Sequence, residues 1–314
     1  MSRRVFYLSI QACVNALAIG VVAKVLVMLI NLITNLSFYG DLSFDERGPA
    51  HNTLGWIVIF VPIAGSILVG IMARFGSKAI RGHGIPEAME NIILNESKIP
   101  PVITLLKPLS AALSIGTGGP FGAEGPIIAT GGAIGSFTGQ VIHISSAERK
   151  VLLAAGACAG MAAIFGSPLA AILLAIELLL FEFSPRSVIP VAIGCITGAA
   201  MHMVLFDSHP VFAMPDIPPV SDVALFTYVL MGAVVGVAAA YISRSVYYVE
   251  DLFEKLPIHW MWWPALGAVA VGVVGYFAPH TMGVGYDNIK DLLTGNMPLA
   301  VLIALCVLKY ISWV

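Results

Sequence analysis

Gly116-Thr117-Gly118-Gly119-Pro120-Phe121-Gly122-Ala123-Glu124-Gly125-Pro126, running on into Ile127-Ile128-Ala129, sets one carboxylate among glycines inside an apolar block that extends from residue 100 to 183. A carboxylate at bilayer depth costs about 2.5–3.5 kcal/mol on insertion scales, so its neighbours must compensate. Pro126 suits the first turn of a helix, and Gly122 and Gly125 let backbone N–H groups come close to a ligand. The pattern predicts a helix opening at Glu124, whose unpaired N–H groups favour negative charge. A turn that stabilises a carboxylate also stabilises a free anion once the carboxylate swings away. The plainer alternative is a capping glutamate in a structural turn.

The rest of the chain sets the scale for this reading. Its 314 residues are 58% hydrophobic and 11% charged, with a mean hydropathy of +0.92. Soluble domains carry about 25% charged residues, so there is too little polar surface here for a water-soluble globule. The composition predicts an all-α polytopic membrane protein. Apolar runs long enough to span the bilayer lie near 10–36, 55–74, 186–206, 220–243, 259–279 and 298–314. The block from 100 to 183 is instead chopped by Pro108, the Gly116–Pro126 segment, Gly156, Gly160 and Ser167-Pro168. Broken helices are tolerated at membrane depth only where the backbone is buried or lines a polar cavity, which points to a transport site.

Charge fixes further expectations. A net charge of −2 leaves no basic footprint for nucleic acid. Arg3 and Arg4, then Arg74, Lys78 and Arg81 after the second span, place the N-terminus in the cytoplasm by the positive-inside rule. The Glu148-Arg149-Lys150 loop has mixed sign and decides nothing. Cys13, Cys158, Cys195 and Cys306 all sit in apolar stretches without CxxC spacing, so they read as small packing residues rather than metal ligands or disulfides.

A second turn repeats the design of the first. Gly82-His83-Gly84-Ile85-Pro86 opens an amphipathic helix over 84–95, and His83 is a hydrogen-bond donor for an anion or an interfacial side chain. Two helix N-termini aimed at one point make an anion site without a fixed cation, which suits release as well as binding. The segment has an echo. Gly82-His83-Gly84-Ile85 and Lys107 match Gly283-Val284-Gly285-Tyr286 and Lys309 with a one-residue shift, and Pro100 and Pro298 fall between them. The chain thus reads as a first transmembrane repeat over 1–210, carrying the anion-site motifs, and an incomplete second repeat over 211–314. Enzyme motifs are not found: position 286 is Tyr where a GxGD protease motif before Asp287 needs Asp, and there is no GxSG or phosphate-loop pattern.

These residues resemble a known family. Gly82–Pro86 resembles the GSGIP motif of the CLC chloride channels and chloride/proton antiporters, and Gly122–Pro126 is similar to their GxEGP motif. Lys150–Gly160, then Phe165-Gly166-Ser167-Pro168-Leu169-Ala170-Ala171-Ile172-Leu173 and Ile176-Glu177, resemble the next two helices. The resemblance implies an all-helical inverted-repeat fold with broken helices, a homodimer in lipid with one anion pathway per subunit, and no cofactor besides the transported chloride or other small anion. It implies that Glu124 is the gate. Anion-coordinating positions then fall on Gly82, His83, Gly84, Ile85 and Pro86, and on Gly122, Ala123, Gly125 and Pro126.

Three departures qualify the match. His83 replaces the usual Ser, which leaves the anion open. Ala123 replaces the usual Lys or Arg beside the gate. Leu178 stands where exchangers carry their internal proton-transfer glutamate. Glu177 is the nearest proton-relay candidate, but adjacent helical residues point about 100° apart; its other reading is a buried, hydrogen-bonded helix carboxylate. The family's second-half GxFxP turn and later anion-coordinating Tyr do not occur before Val314. The expected function is therefore chloride or other anion transport, channel-like or weakly proton-coupled. The alternatives are a chloride/proton antiporter and a truncated, non-conducting homologue. Short loops suggest a bacterial inner membrane.

Overall fold

The computed structural model describes residues 3–81, 84–206, 211–212, 214 and 221–314. Twelve α-helices organise them: α1 (Arg3–Tyr39), α2 (Phe60–Phe75), α3 (Ile85–Leu94), α4 (Ile103–Gly116), α5 (Glu124–Val141), α6 (Ser146–Phe165), α7 (Pro168–Leu174), α8 (Pro185–Leu205), α9 (Asp222–Glu254), α10 (Trp263–Phe277), α11 (Tyr286–Leu293) and α12 (Leu299–Trp313). Among the described residues five helical segments are long and apolar enough to cross a membrane: 3–39, 55–75, 185–205, 222–254 and 260–277. The broken block resolves into α4 to α7, none of which is among those five.

The core gathers on α1, α5, α6 and α8. Along α1 the buried residues Ala12, Ala16, Ile19, Ala23, Leu26 and Ile30 recur three or four positions apart, the spacing of one helical face. That face packs against α4, α5, α6 and α8. At the crossing of α5 and α6 the backbones themselves meet. A Cβ on Gly131 would lie 2.3 Å from the Gly156 carbonyl oxygen, and one on Gly156 would lie 2.2 Å from that of Gly131. Small residues permit such close helix packing in membranes, so the glycines that fragment the sequence pattern are also what lets these helices touch.

The α3–α4 connection is locked onto this core. Glu96 and Ser97 adopt φ of 51° and 61°, unusual for residues with a Cβ, and two side chains hold them there. Arg149 donates from Nε and Nη2 to the Glu96 carbonyl at 3.0 and 2.7 Å. Ser136 Oγ donates to the Ser97 carbonyl at 2.6 Å and accepts from the Ile99 N–H at 2.9 Å.

Two local expectations change. Glu148-Arg149-Lys150 is not a loop but the first turn of α6, where Ser145 and Glu148 form a reciprocal capping box. Glu148 also pairs with Arg4, which brings the start of α1 beside the start of α6. Of the four cysteines, Cys158 and Cys195 are buried and Cys13 half-buried, but Cys306 is exposed on α12 and packs in no core.

Candidate functional site

Two helix N-termini meet at one point. Gly84 caps α3 with φ of 71° and ψ of −102°, outside the regions open to a residue with a Cβ and costing one about 1–3 kcal/mol. A Cβ on Gly84 would also come within 2.7 Å of the Gly125 Cα in the first turn of α5. Glycine at 84 is thus required twice, by the turn and by the contact. Both helices start where the glycine–proline pattern predicts, with Pro86 in the first turn of α3 and Pro126 in the first turn of α5. Their free N–H ends form the positive poles that favour an anion.

Glu124 is the first residue of α5 and half-buried. Its side chain folds back over Gly122: any Cβ at that position would overlap the Glu124 carboxylate. Its Oε1 accepts a hydrogen bond from the Tyr286 hydroxyl at 3.2 Å. Tyr286 opens α11, after Gly285 with a φ of 86°. The turn before it is tied down by the Gly283 N–H, which donates to the Gly118 carbonyl at 3.1 Å. The Tyr286 ring stands edge-on to Phe165 and Phe212, with centroids 6.5 and 5.7 Å away.

A cavity opens on either side of this turn. One, of about 220 Å³, is lined by Gly84, Gly122, Gly125 and Pro126 together with Ser110, Ser114, Phe121 and Lys107. The other, of about 110 Å³, is lined by Ala123, Tyr286, Asp287, Asn288 and residues 46–50, including Glu46 and Arg47. Ile115 borders both. The structure therefore brings Gly84, Gly122, Gly125 and Pro126 to one wall. Ala123, which is buried, faces the other cavity. Ile85 packs against the core and Pro86 is exposed, so neither side chain reaches a cavity. Gly82 and His83 lie outside the described residues.

Lysines brace both glycine turns. Buried Lys107 donates to the Ile80 carbonyl at 3.0 Å and pairs with Glu87 at 3.1 Å. Lys309 lies 3.4 Å from the Thr281 and Gly283 carbonyls. The two lysines were legible as echoes of one another in the sequence; what they hold was not. Tyr286 was missed as a site residue. The signal was present, because the echo aligns it with Ile85 at the start of the matching helix.

Glu177 does not join the site. It lies in a π-helical stretch, Ala175–Leu180, continuous with α7, and it is exposed. That excludes a buried, hydrogen-bonded role, whereas its neighbour Leu178 packs on the core. The two residues face apart, as the helical rotation predicts.

With the geometry in place, the class is clear: a polytopic helical membrane protein with broken helices converging on a carboxylate. The family profile described as "Voltage gated chloride channel" matches residues 64–314, and the chain belongs to this CLC family. Curated relatives include a putative chloride channel protein ClcB-like of Ralstonia nicotianae, 25% identical over 242 residues, covering 76% of this chain and 56% of the relative. The chloride channel protein CLC-e of Arabidopsis thaliana is 27% identical over 303 residues, covering 90% of this chain and 42% of the relative. The chain thus spans about half the length of these relatives. Among solved structures, a slow cyanobacterial Cl⁻/H⁺ antiporter superposes with a TM-score of 0.79 at 21% identity, over 100% of this chain and 74% of that one. A CLC-type fluoride/proton antiporter gives 0.71 at 21% identity, over 96% of this chain and 74% of that one. The fold is the all-helical CLC fold.

Proposed function

We propose that this chain forms a CLC-type pathway for chloride or another small anion, gated by Glu124. The observation that carries the reading is the convergence of the α3 and α5 N-termini at Gly84 and Gly125, with the Glu124 carboxylate folded over Gly122 between two cavities. A carboxylate in that place occupies the positive pole that an anion needs, so one must leave for the other to bind. Gly84, Gly122, Ala123, Gly125 and Pro126 supply the surrounding backbone, with the starts of α3 and α5 fixed by Ile85-Pro86 and Pro126; Gly82 and His83 join the proposed set on the sequence motif alone. The relatives' names, chloride channels and Cl⁻/H⁺ or F⁻/H⁺ antiporters, support the ligand class. The test is anion efflux from vesicles holding the purified protein. Glu124→Ala is expected to raise the flux and make it insensitive to pH, whereas a pH dependence like that of the unmodified chain would remove Glu124 as the gate.

Conduction without tight proton coupling is the favoured mode. Leu178 carries no proton, and Glu177, in the π-helical stretch after α7, is exposed and lines neither cavity. A chloride gradient is then expected to drive little or no proton movement. We further read residues 1–210 and 211–314 as two repeats, because α1 to α4 and α9 to α12 follow the same order and each series braces a glycine turn with a lysine. The assembly proposed is a homodimer in a bacterial inner membrane with the N-terminus cytoplasmic, consistent with the basic residues Arg3, Arg4, Arg74 and Arg81.

A further inference from the structure

The hydrogen bond between Tyr286 and Glu124 joins residues 162 positions apart and brings the start of α11 onto the start of α5. We propose that Tyr286 is the latch of the Glu124 gate: its hydroxyl holds the carboxylate over Gly122 and so opposes anion entry at the α5 N-terminus. The proposal rests on the gating role of Glu124 argued above.

The latch follows from how the two groups are mounted. Tyr286 is not free to wander, since Gly285 sets the helix start and the Phe165 and Phe212 rings flank it edge-on. Its hydroxyl is the donor and the carboxylate the acceptor, so the bond holds the glutamate in place. Glu46 and Asp287 line the same cavity; carboxylates cannot donate to Glu124 when ionised, and Arg47 there is 3.2 Å from Asp41 instead. On the other side, Lys107 is paired with Glu87. The hydroxyl therefore holds the carboxylate without locking it. At 3.2 Å the bond is longer than the usual range for O–H···O bonds, which suits a contact that must let go each time an anion displaces the glutamate.

The test is chloride binding to the full chain, purified in detergent, by isothermal titration at neutral pH. Removing the hydroxyl in Tyr286→Phe keeps the ring and its packing, and is expected to tighten chloride binding about three- to tenfold, the range of an ordinary hydrogen bond. In a Glu124→Ala background the same substitution is expected to add nothing, because the latch has no gate to hold. A purely structural role for Tyr286 would change binding in both backgrounds and would overturn the proposal. Weaker binding in Tyr286→Phe would also overturn it, by making the hydroxyl a ligand of the anion. Tighter binding in Glu124→Ala with no change in Tyr286→Phe removes the latch and leaves the gate. Chloride binding that is no tighter in Glu124→Ala than in the unmodified chain removes the gate itself and the latch with it.

Discussion

The turn that opens α3 and the turn that opens α11 are built alike and equipped differently. Each has a glycine with positive φ immediately before the helix, at 84 and 285, and each is braced by a lysine reaching back to a carbonyl, Ile80 for Lys107 and Thr281 for Lys309. The offset between the lysines is one residue larger than that between the glycines, yet the carbonyls they reach correspond. Around this shared frame the surroundings diverge. Lys107 has a carboxylate partner in Glu87, and Gly84 presses on the backbone of Gly125. Among the described residues Lys309 reaches carbonyls and no carboxylate, and the atoms nearest a Cβ at Gly285 belong to the end of that lysine and the Asn288 side chain. One turn is fixed against the core; the other presents Tyr286 to Glu124. The comparison teaches that the same local motif serves as a wall packed on backbone in one place and as the mount of a side chain in the other.

The largest effect is expected where the braces differ most. Lys107→Met strands Glu87, whose side chain is 13% exposed, and removing one partner of a buried ion pair costs about 3–5 kcal/mol. Lys309→Met leaves only carbonyl acceptors behind, a loss of about 1–3 kcal/mol. Thermal melting of the two variants in detergent measures the difference, and Lys107→Met should recover part of its loss when Glu87→Gln is added. Equal melting temperatures for the two single variants would mean that the turns are equivalent braces and that the carboxylate adds nothing.

Alanine at the two glycines comes next. Both positions carry the backbone strain of a positive φ, about 1–2 kcal/mol for a residue with a Cβ at Gly285, in the left-handed helical region, and about 1–3 kcal/mol at Gly84, whose ψ of −102° lies outside it. At Gly84 the new methyl also meets the Gly125 Cα at 2.7 Å and its carbonyl oxygen at 3.0 Å, atoms that move only if α5 moves. At Gly285 the close atom is Lys309 Nζ, also at 2.7 Å, the end of a side chain that can swing aside. Overpacking against a rigid neighbour adds about 1–3 kcal/mol, so Gly84→Ala is expected to melt well below Gly285→Ala. The same order should hold for chloride binding, since only the first substitution pushes the two N-termini apart.

How much of this was written in the sequence depends on distance along the chain. The start of α5 at Glu124, the start of α3 after Gly84 and the spans of α2, α8 and α10 follow from local patterns of glycine, proline and apolar runs, and the structure places them within a few residues; α1 starts seven residues before its expected 10–36 and α9 runs eleven beyond its expected 220–243. Even the echo between Lys107 and Lys309 was visible, because each sits in its own apolar run. What was not visible depends on packing between distant segments. Tyr286 reads as an ordinary aromatic at a helix start until α11 is set beside α5. Glu177 reads as a buried carboxylate in an apolar run, and only the packing of Leu178 turns it outward. Composition likewise cannot separate α1 from α9: both are long and apolar, yet α1 buries a continuous face and no residue of the 33 in α9 is buried.

The smallest effect belongs to a contact remote from both turns, which makes it the control for them. Arg4 Nη2 donates to Glu148 Oε2 at 2.8 Å, and the capping bonds from Ser145 reach the same carboxylate. The Arg4 hydrogen bond is the main reason the Glu148 carboxyl lies at about 2 rather than its usual 4.5, outweighing the opposing effect of partial burial. A carboxyl held below its unfolded value stabilises the fold fully above about 4.5, and that contribution disappears as the pH falls towards about 2. The stabilisation that Arg4 adds is therefore expected in full above about pH 4.5 and to shrink as the pH falls towards about 2, so the melting temperatures of the unmodified chain and Arg4→Ala should converge on acidification. Arg4 is largely exposed, so the shift at neutral pH is expected to be the slightest of the set. Sites this far apart combine additively, so the gap between Gly84→Ala and Gly285→Ala should be the same with Arg4 present or absent. A gap that narrows in the Arg4→Ala background would show that the α3 turn draws its rigidity from the α1–α6 contact and not from Gly125, and the contrast between the two turns would then belong to the core behind them.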